Sequence, residues 1–112
     1  MGMDRLLLQL DEVEAARDAL AQELQQLGAA LSTTRAMRAT GSAASEILEH
    51  GPGVEARRRV RRRVLALNEA MHSYRAQLIR SLVDEEGWSI ARVARATRNA
   101  RQVVSRLYHA AG

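Results

Sequence analysis

The sequence predicts an all-α fold: long amphipathic helices forming a helical hairpin or coiled coil, followed by two short helices near the C-terminal end. Three observations carry this reading. Ala, Leu, Arg, Glu and Gln dominate the composition, and each loses little on entering a helix. Apolar residues recur at steps of three and four along two long stretches, the signature of a helix with one buried face. Proline occurs once, at Pro52, and turn-forming glycines gather beside it. At 112 residues the chain fits one domain, or one small domain with a helical extension.

The first element spans residues 1–34. Met3, Leu6, Leu10, Val13, Leu20, Leu24, Leu27 and Leu31 follow the three-four alternation with one gap. With Leu10 at heptad position a, Val13 falls at d, Arg17 at a, Leu20 at d, Leu24 at a, Leu27 at d and Leu31 at a. The pattern describes a coiled-coil-like helix from about residue 3 to 34, roughly 48 Å long at 1.5 Å per residue. Gly28 weakens it near the end. Arg17 sits in the seam, where its aliphatic stem can pack while the guanidinium reaches water. The seam serves dimerisation, giving a homodimer through the heptad helix, or a hairpin within one chain; the sequence leaves both open.

Residues 35–54 read as a linker. Thr40-Gly41-Ser42 and Gly51-Pro52-Gly53 are turn chemistry. Between them Ala43 to Glu49 can form two helical turns capped by Ser42, with Ile47 and Leu48 facing the core. Residues 55–112 form the last segment. It opens with a long basic helix from about Val54 to Glu86, whose seam is Val60, Val64, Leu67, Met71, Tyr74 and Leu78, continued by Leu82. Gly87 is its natural stop.

Charge separates along the chain. Residues 1–53 carry eight acids and four arginines, net −4, whereas residues 54–112 carry five acids and thirteen arginines, net +8. All 17 basic residues are arginine. A basic half beside an acidic half points to a polyanionic partner for the basic half. Cysteine is absent, so disulfides and thiolate chemistry are excluded. No segment reads as a signal peptide or a membrane span.

After Gly87 the chain splits into two short helices. Ser89 caps the first, which runs to about Thr97 with Ile90, Val93 and Ala94 on one apolar face. The second runs from about Ala100 to Ala110 with Val103, Val104 and Leu107 on its apolar face. A linker of two or three residues forces a steep crossing, which requires a small contact residue, and Ala94 meets that need.

This segment, Ser89-Ile90-Ala91-Arg92-Val93-Ala94-Arg95-Ala96-Thr97 followed by Arg101-Gln102-Val103-Val104-Ser105-Arg106-Leu107, resembles the bacterial helix-turn-helix of resolvases, transposases, sigma-factor C-terminal regions and small regulators. The resemblance covers about 24 residues and names a motif class. Its departures lie in the turn: Arg98 stands where glycine is usual, Asn99 where an apolar residue is usual, and Ala100 where serine is usual. The glycine site often has φ > 0: either Arg98 holds that conformation with strain, or Asn99 takes it instead, and Asn99 can cap the second helix. By this resemblance the second helix would enter the major groove of double-stranded DNA. Arg101 and Gln102 would read base edges, Ser105 and Arg106 bases or adjacent phosphates, and Arg92, Arg95, Arg98 and Asn99 would line the same interface. The implied function is that of a small transcriptional regulator or nucleoid-associated factor in the cytoplasm.

Other constellations point less far. Arg57-Arg58-Arg59-Val60-Arg61-Arg62-Arg63 places six arginines in seven positions. Arg57, Arg58, Arg61 and Arg62 are candidate additional phosphate contacts, or they pair with the acidic first helix. His50, His72 and His109 are isolated, so no zinc site is read. No nucleophile-base-acid arrangement is present, so the chain reads as a non-enzyme without cofactor. No small-molecule ligand is expected. Asp84-Glu85-Glu86 closes the basic helix, where Arg80 is the natural partner. Trp88 reads as a core plug. The rival functional class is a helical protein-interaction module that engages another protein through its heptad face.

Overall fold

The computed structural model describes residues 4–110, and every regular element among them is helical. Five helices follow in order: α1 (Arg5–Ala39), α2 (Ala44–His50), α3 (Gly53–Asp84), α4 (Ile90–Thr97) and α5 (Arg101–Ala110). The all-α class is as expected. No described helix is long and apolar enough to cross a membrane. The chain divides into two compact units. One is Ala15–Asn68; the other joins the residues up to Glu14 with those from Glu69 onward.

In the Ala15–Asn68 unit, α1 passes through Gly28 and continues five residues beyond Thr34. Arg35 to Ala39 are mostly strong helix formers, and Thr40 closes the end by donating its hydroxyl to Ala36 O at 2.9 Å. Gly41, at φ 101°, then turns the chain. Ser42 does not cap α2. Its N–H donates to Met37 O at 2.9 Å and its carbonyl accepts from Arg38 Nη1, so it belongs to the closure of α1. The N-cap of α2 is Ala43, which supplies no side-chain bond. Gly51 ends α2 at a point where a Cβ would lie 2.5 Å from Ile47 O, so only glycine fits. Pro52 O then accepts from Ala56 N–H and starts α3.

Within this unit α1 and α3 form an antiparallel hairpin. Arg59 Nε donates to Glu23 Oε2 at 3.1 Å, while Gly53, earlier in α3, lies beside Thr34, later in α1. The two buried residues of the unit, Ala30 at 5% and Ala56 at 1% exposure, come one from each helix. One face of α1 therefore packs against α3 within this unit.

The register of that face differs from the sequence reading. Leu10 and Ala19 apart, the covered residues of α1 are Leu6 and Gln9, Val13 and Ala16, Leu20 and Glu23, Leu27 and Ala30, then Thr34 and Met37. This is an uninterrupted three-four alternation. It keeps Leu6, Val13, Leu20 and Leu27 from the expected seam, and Leu10 is partly covered as well, but further along Arg17, Leu24 and Leu31 give way to the neighbouring row Ala16, Glu23 and Ala30. Leu24 and Leu31 remain 49% and 58% exposed. Arg17 is outside the seam: its guanidinium hydrogen-bonds to Asp18 at 3.0 Å on an open surface. Helix α3 shows the same choice. Val60, Leu67 and Tyr74 are partly covered, and Ala56 and Ala70 replace the bulkier row in which Val64 and Met71 stay exposed. The physical reason is distance. Interaxial spacing depends on the side chains at the contact, and alanine rows let two helices approach more closely than leucine rows do. The sequence pattern weights the larger apolar residue of each adjacent pair and so selects the outer row.

The second unit has its own apolar cluster. Ala76 and Ile79 of α3, Val93 and Ala94 of α4, and Val104 and Leu107 of α5 are buried together, with Leu82, Val83, Trp88, Ile90, Val103 and Tyr108 packed around them. Gly87, at φ 72°, reverses the chain after α3, as expected of a helix stop. Gly87 N–H donates to Val83 O and Trp88 N–H to Leu82 O, which satisfies two of the final carbonyls.

Candidate functional site

The site is built on α4, α5 and the three residues that join them. Ser89 caps α4 as expected: its Oγ accepts from Arg92 N–H at 3.1 Å. The cap fixes where α4 begins, and the burial of Val93 and Ala94 on its inner face fixes its rotation. The outer face then carries Arg92 and Arg95, both exposed.

The turn decides between two alternatives that the sequence left open. The left-handed residue is Arg98, at φ 56° and ψ 39°, and not Asn99. Arg98 therefore occupies the position where glycine is usual in the resembling motif, and it holds the conformation itself. Its N–H donates to Ala94 O and Arg95 O, and Asn99 N–H donates to Ala94 O at 3.0 Å. These bonds satisfy the end of α4 and pin the turn. The conformation costs a non-glycine residue about 1 kcal/mol or more. Helix α5 begins with Ala100 O accepting from Val104 N–H. No hydrogen bond from the Asn99 side chain caps it.

Helix α5 turns Val104 and Leu107 inward at 0% and 5% exposure, with Val103 partly covered. Its outer surface presents Arg101, Gln102 and Arg106, all exposed, with Ser105 half-buried at the margin. Arg106 Nε reaches back to Gln102 O at 3.4 Å. The eight residues singled out from the sequence thus divide cleanly. Arg92, Arg95 and Arg98 belong to α4 and its C-cap, Asn99 lies half-buried in the turn, and Arg101, Gln102, Ser105 and Arg106 lie along α5. Among the described residues, none of these five arginines forms an ion pair. From Gly87 to Ala110 the chain contains no acid at all. The surface is uncompensated positive charge on a packed two-helix support.

Two interactions tie this support to its surroundings, and neither was read from the sequence. The Arg92 guanidinium lies over the Trp88 ring, 3.8 Å from its centroid. Trp88 is partly buried against the cluster, so the stack holds Arg92 along the base of α4. The four-residue spacing Trp88–Arg92 was the available signal. At the other end Tyr108 Oη donates to Asp84 Oδ1 at 2.7 Å, and Arg80 Nε donates to Asp84 Oδ2 at 3.1 Å. Arg80 also lies 5.3 Å from the Tyr108 ring centroid. The expected Arg80–Asp84 pairing is present, and it acquires a third member from α5. The hydrogen bond to the Asp84 carboxylate raises the Tyr108 hydroxyl above its usual pKa of 10.0. Nothing in the spacing of Asp84 and Tyr108 announces their contact.

The second basic cluster belongs to the Ala15–Asn68 unit. Arg59 pairs with Glu23, and Glu55 lies 3.9 Å from Arg59 and 3.8 Å from Arg62. Of the four candidates there, Arg57, Arg58, Arg61 and Arg62 are all exposed, and only Arg62 approaches an acid. The acidic stretch of α1 supplies a single partner to the run, Glu23. Among the described residues no three His, Cys, Asp or Glu side chains converge on a metal site. No protein-family model, curated protein or solved structure matches the chain.

Proposed function

We propose that this chain binds double-stranded DNA by inserting α5 into the major groove, with α4 seated across the phosphate backbone as in a helix-turn-helix. The observation that carries the reading is the combination at α4–α5: five arginines without acidic partners on a two-helix unit whose inner faces share one buried cluster. A protein surface of that charge, free of internal compensation, recovers its cost against phosphates. Arg101 and Gln102 stand exposed on the first turn of α5, the part of a recognition helix that reaches base edges. Arginine can grip guanine O6 and N7, and glutamine adenine N6 and N7. Arg92, Arg95 and Arg98 serve phosphates, and Ser105 and Arg106 bases or neighbouring phosphates. The reading makes the chain a regulator or nucleoid-associated factor and not an enzyme.

In this reading the active species is a homodimer. Half of the expected heptad seam is covered within the chain, so pairing uses its outer row. Leu24 and Leu31, seven residues apart on α1, and Val64 on α3 lie beside the hairpin seam and stay exposed. Two copies meeting face to face would cover each other's rows in a self-complementary interface. Two α5 helices would then address two half-sites.

The experiment is a binding comparison on a genomic fragment selected by the protein. Arg101→Ala combined with Gln102→Ala should cost at least tenfold in affinity for that fragment and leave the affinity for random duplex within about threefold. A double variant that binds the selected fragment as well as the parent does would refute the assignment. The same exposed row favours a second reading, a helical module that docks another protein. A monomeric parent chain with no salt-sensitive DNA affinity would support that reading instead.

A further inference from the structure

A cavity of about 350 Å³ opens between α3 and α5, lined by His72 and Arg75 from α3 and by Val103, Arg106, Leu107 and Ala110 from α5. Its volume lies in the range of small-molecule sites. Its chemistry is one-sided. Val103, Leu107 and Ala110 supply an apolar wall, and Leu107 belongs to the buried cluster behind it. The polar groups that line it are two guanidiniums and an imidazole; no carboxylate does so. Among the described residues Arg75 has no ion pair or hydrogen-bond partner. Arg106 spends one donor on its own helix, at Gln102 O, and keeps the rest. Two guanidiniums gathered at one cavity without an acceptor repel each other, and an anion placed between them removes that repulsion while accepting charge-assisted hydrogen bonds.

We propose that this cavity is a binding site for a small amphiphilic anion, with its carboxylate or phosphate head between Arg75 and Arg106 and its apolar body along Val103, Leu107 and Ala110. Composition and spacing carry no sign of such a ligand, because the two arginines come from helices some thirty residues apart. The site stands on its own geometry. Its regulatory meaning rests on the DNA-binding reading: an anion held there engages Arg106 and the inner face of α5, and so draws on the same helix that would enter the groove.

The test uses the full chain and no DNA, so it succeeds or fails independently of that reading. Thermal unfolding is followed with octanoate, acetate and octanol, the complete amphiphile, its head and its body. Octanoate should raise the melting temperature saturably, and acetate and octanol at equal concentration should not. Arg75→Gln, an exposed residue outside the proposed DNA interface, should weaken octanoate binding about tenfold or more with an unchanged far-ultraviolet spectrum. Amide chemical shifts on octanoate addition should move at Val103, Leu107 and Ala110. The proposal is overturned by the absence of a saturable octanoate shift, by equal shifts from acetate, which would indicate general screening of a basic protein, or by octanoate binding that Arg75→Gln leaves intact.

Discussion

The choice between two adjacent helical rows on α1 makes a sharp prediction about paired substitutions at neighbouring positions. Ala30 is 5% exposed in the hairpin, and Leu31 is 58% exposed beside it. Ala30→Leu inserts three carbons into the closest approach of α1 and α3, an overpacking that costs about 1–3 kcal/mol. Leu31→Ala removes a side chain of which less than half is covered. Full burial of leucine contributes about 1.5–3 kcal/mol, so the loss should stay below about 1.3 kcal/mol, and the better helix propensity of alanine offsets part of it. The assay is urea unfolding followed by circular dichroism at two protein concentrations, which separates hairpin stability from association because only the latter makes the midpoint concentration-dependent. Ala30→Leu should lower stability at both concentrations. Leu31→Ala should have a small effect at the lower concentration and a larger one at the higher, where the proposed outer-row dimer would be populated. If Leu31→Ala costs the roughly 2–5 kcal/mol of a core leucine at both concentrations while Ala30→Leu is neutral, the leucine row is the true seam and the register described above is wrong.

Further predictions concern the second unit and its supports. Val104→Ala, at 0% exposure, should cost about 2–3 kcal/mol by calorimetry or denaturant, of which roughly 1.6 is two carbons of transfer and the rest the cavity left behind; a loss below about 0.5 kcal/mol would mean that α5 is not packed as described. Ser89→Ala removes the acceptor of Arg92 N–H and should cost about 1 kcal/mol, with Ser89→Asp restoring it; no difference between Ala and Asp would deny the cap. Tyr108 ionises above its usual 10.0, because its proton is held by the Asp84 carboxylate. The sign follows from linkage: the folded state retains the proton longer, so the stabilisation is present below pH 10.0 and is lost as pH rises through the folded value. Absorbance of tyrosinate in a Tyr74→Phe variant should give a midpoint above 10.0, and Asp84→Asn should bring it down; a midpoint at or below 10.0 would contradict the hydrogen bond.

Much of the fold was legible because it rests on local signals. Gly87 and Ser89 announce the end of α3 and the start of α4 through conformations and hydrogen bonds that lie within four residues of each. Ala94 and Val104 were legible as contact residues because a short turn leaves only small side chains at a steep crossing. The register of α1 was not, because Leu24 and Glu23, or Leu31 and Ala30, lie side by side on the helix, and periodicity alone cannot tell which of two adjacent rows a second helix will cover. The left-handed residue was legible only as a choice between Arg98 and Asn99, because asparagine has the better intrinsic tolerance of that conformation, whereas the hydrogen bonds to Ala94 O and Arg95 O fix it at the residue directly after Thr97. Of the candidate interface, the exposure of Arg92, Arg95, Arg98, Arg101 and Gln102 followed from the inward faces of their helices. The Trp88–Arg92 stack and the Asp84–Tyr108 hydrogen bond did not, since both depend on rotamers or on contacts across 24 residues that no periodicity encodes.

The measurement that bears most directly on the central claim is a fluorescence-anisotropy titration of the full chain against random duplex and against selected genomic fragments, each at two salt concentrations. Each phosphate neutralised contributes about −0.9 to the slope of log affinity against log salt, so Arg92, Arg95 and Arg98 alone predict a slope near −2.7, and the addition of Arg57, Arg58, Arg61 and Arg62 one near −6. Insertion of α5 into the major groove predicts a slope in that interval and a selected fragment bound about a thousandfold more tightly than random duplex. No binding, or binding indifferent to salt, would contradict it.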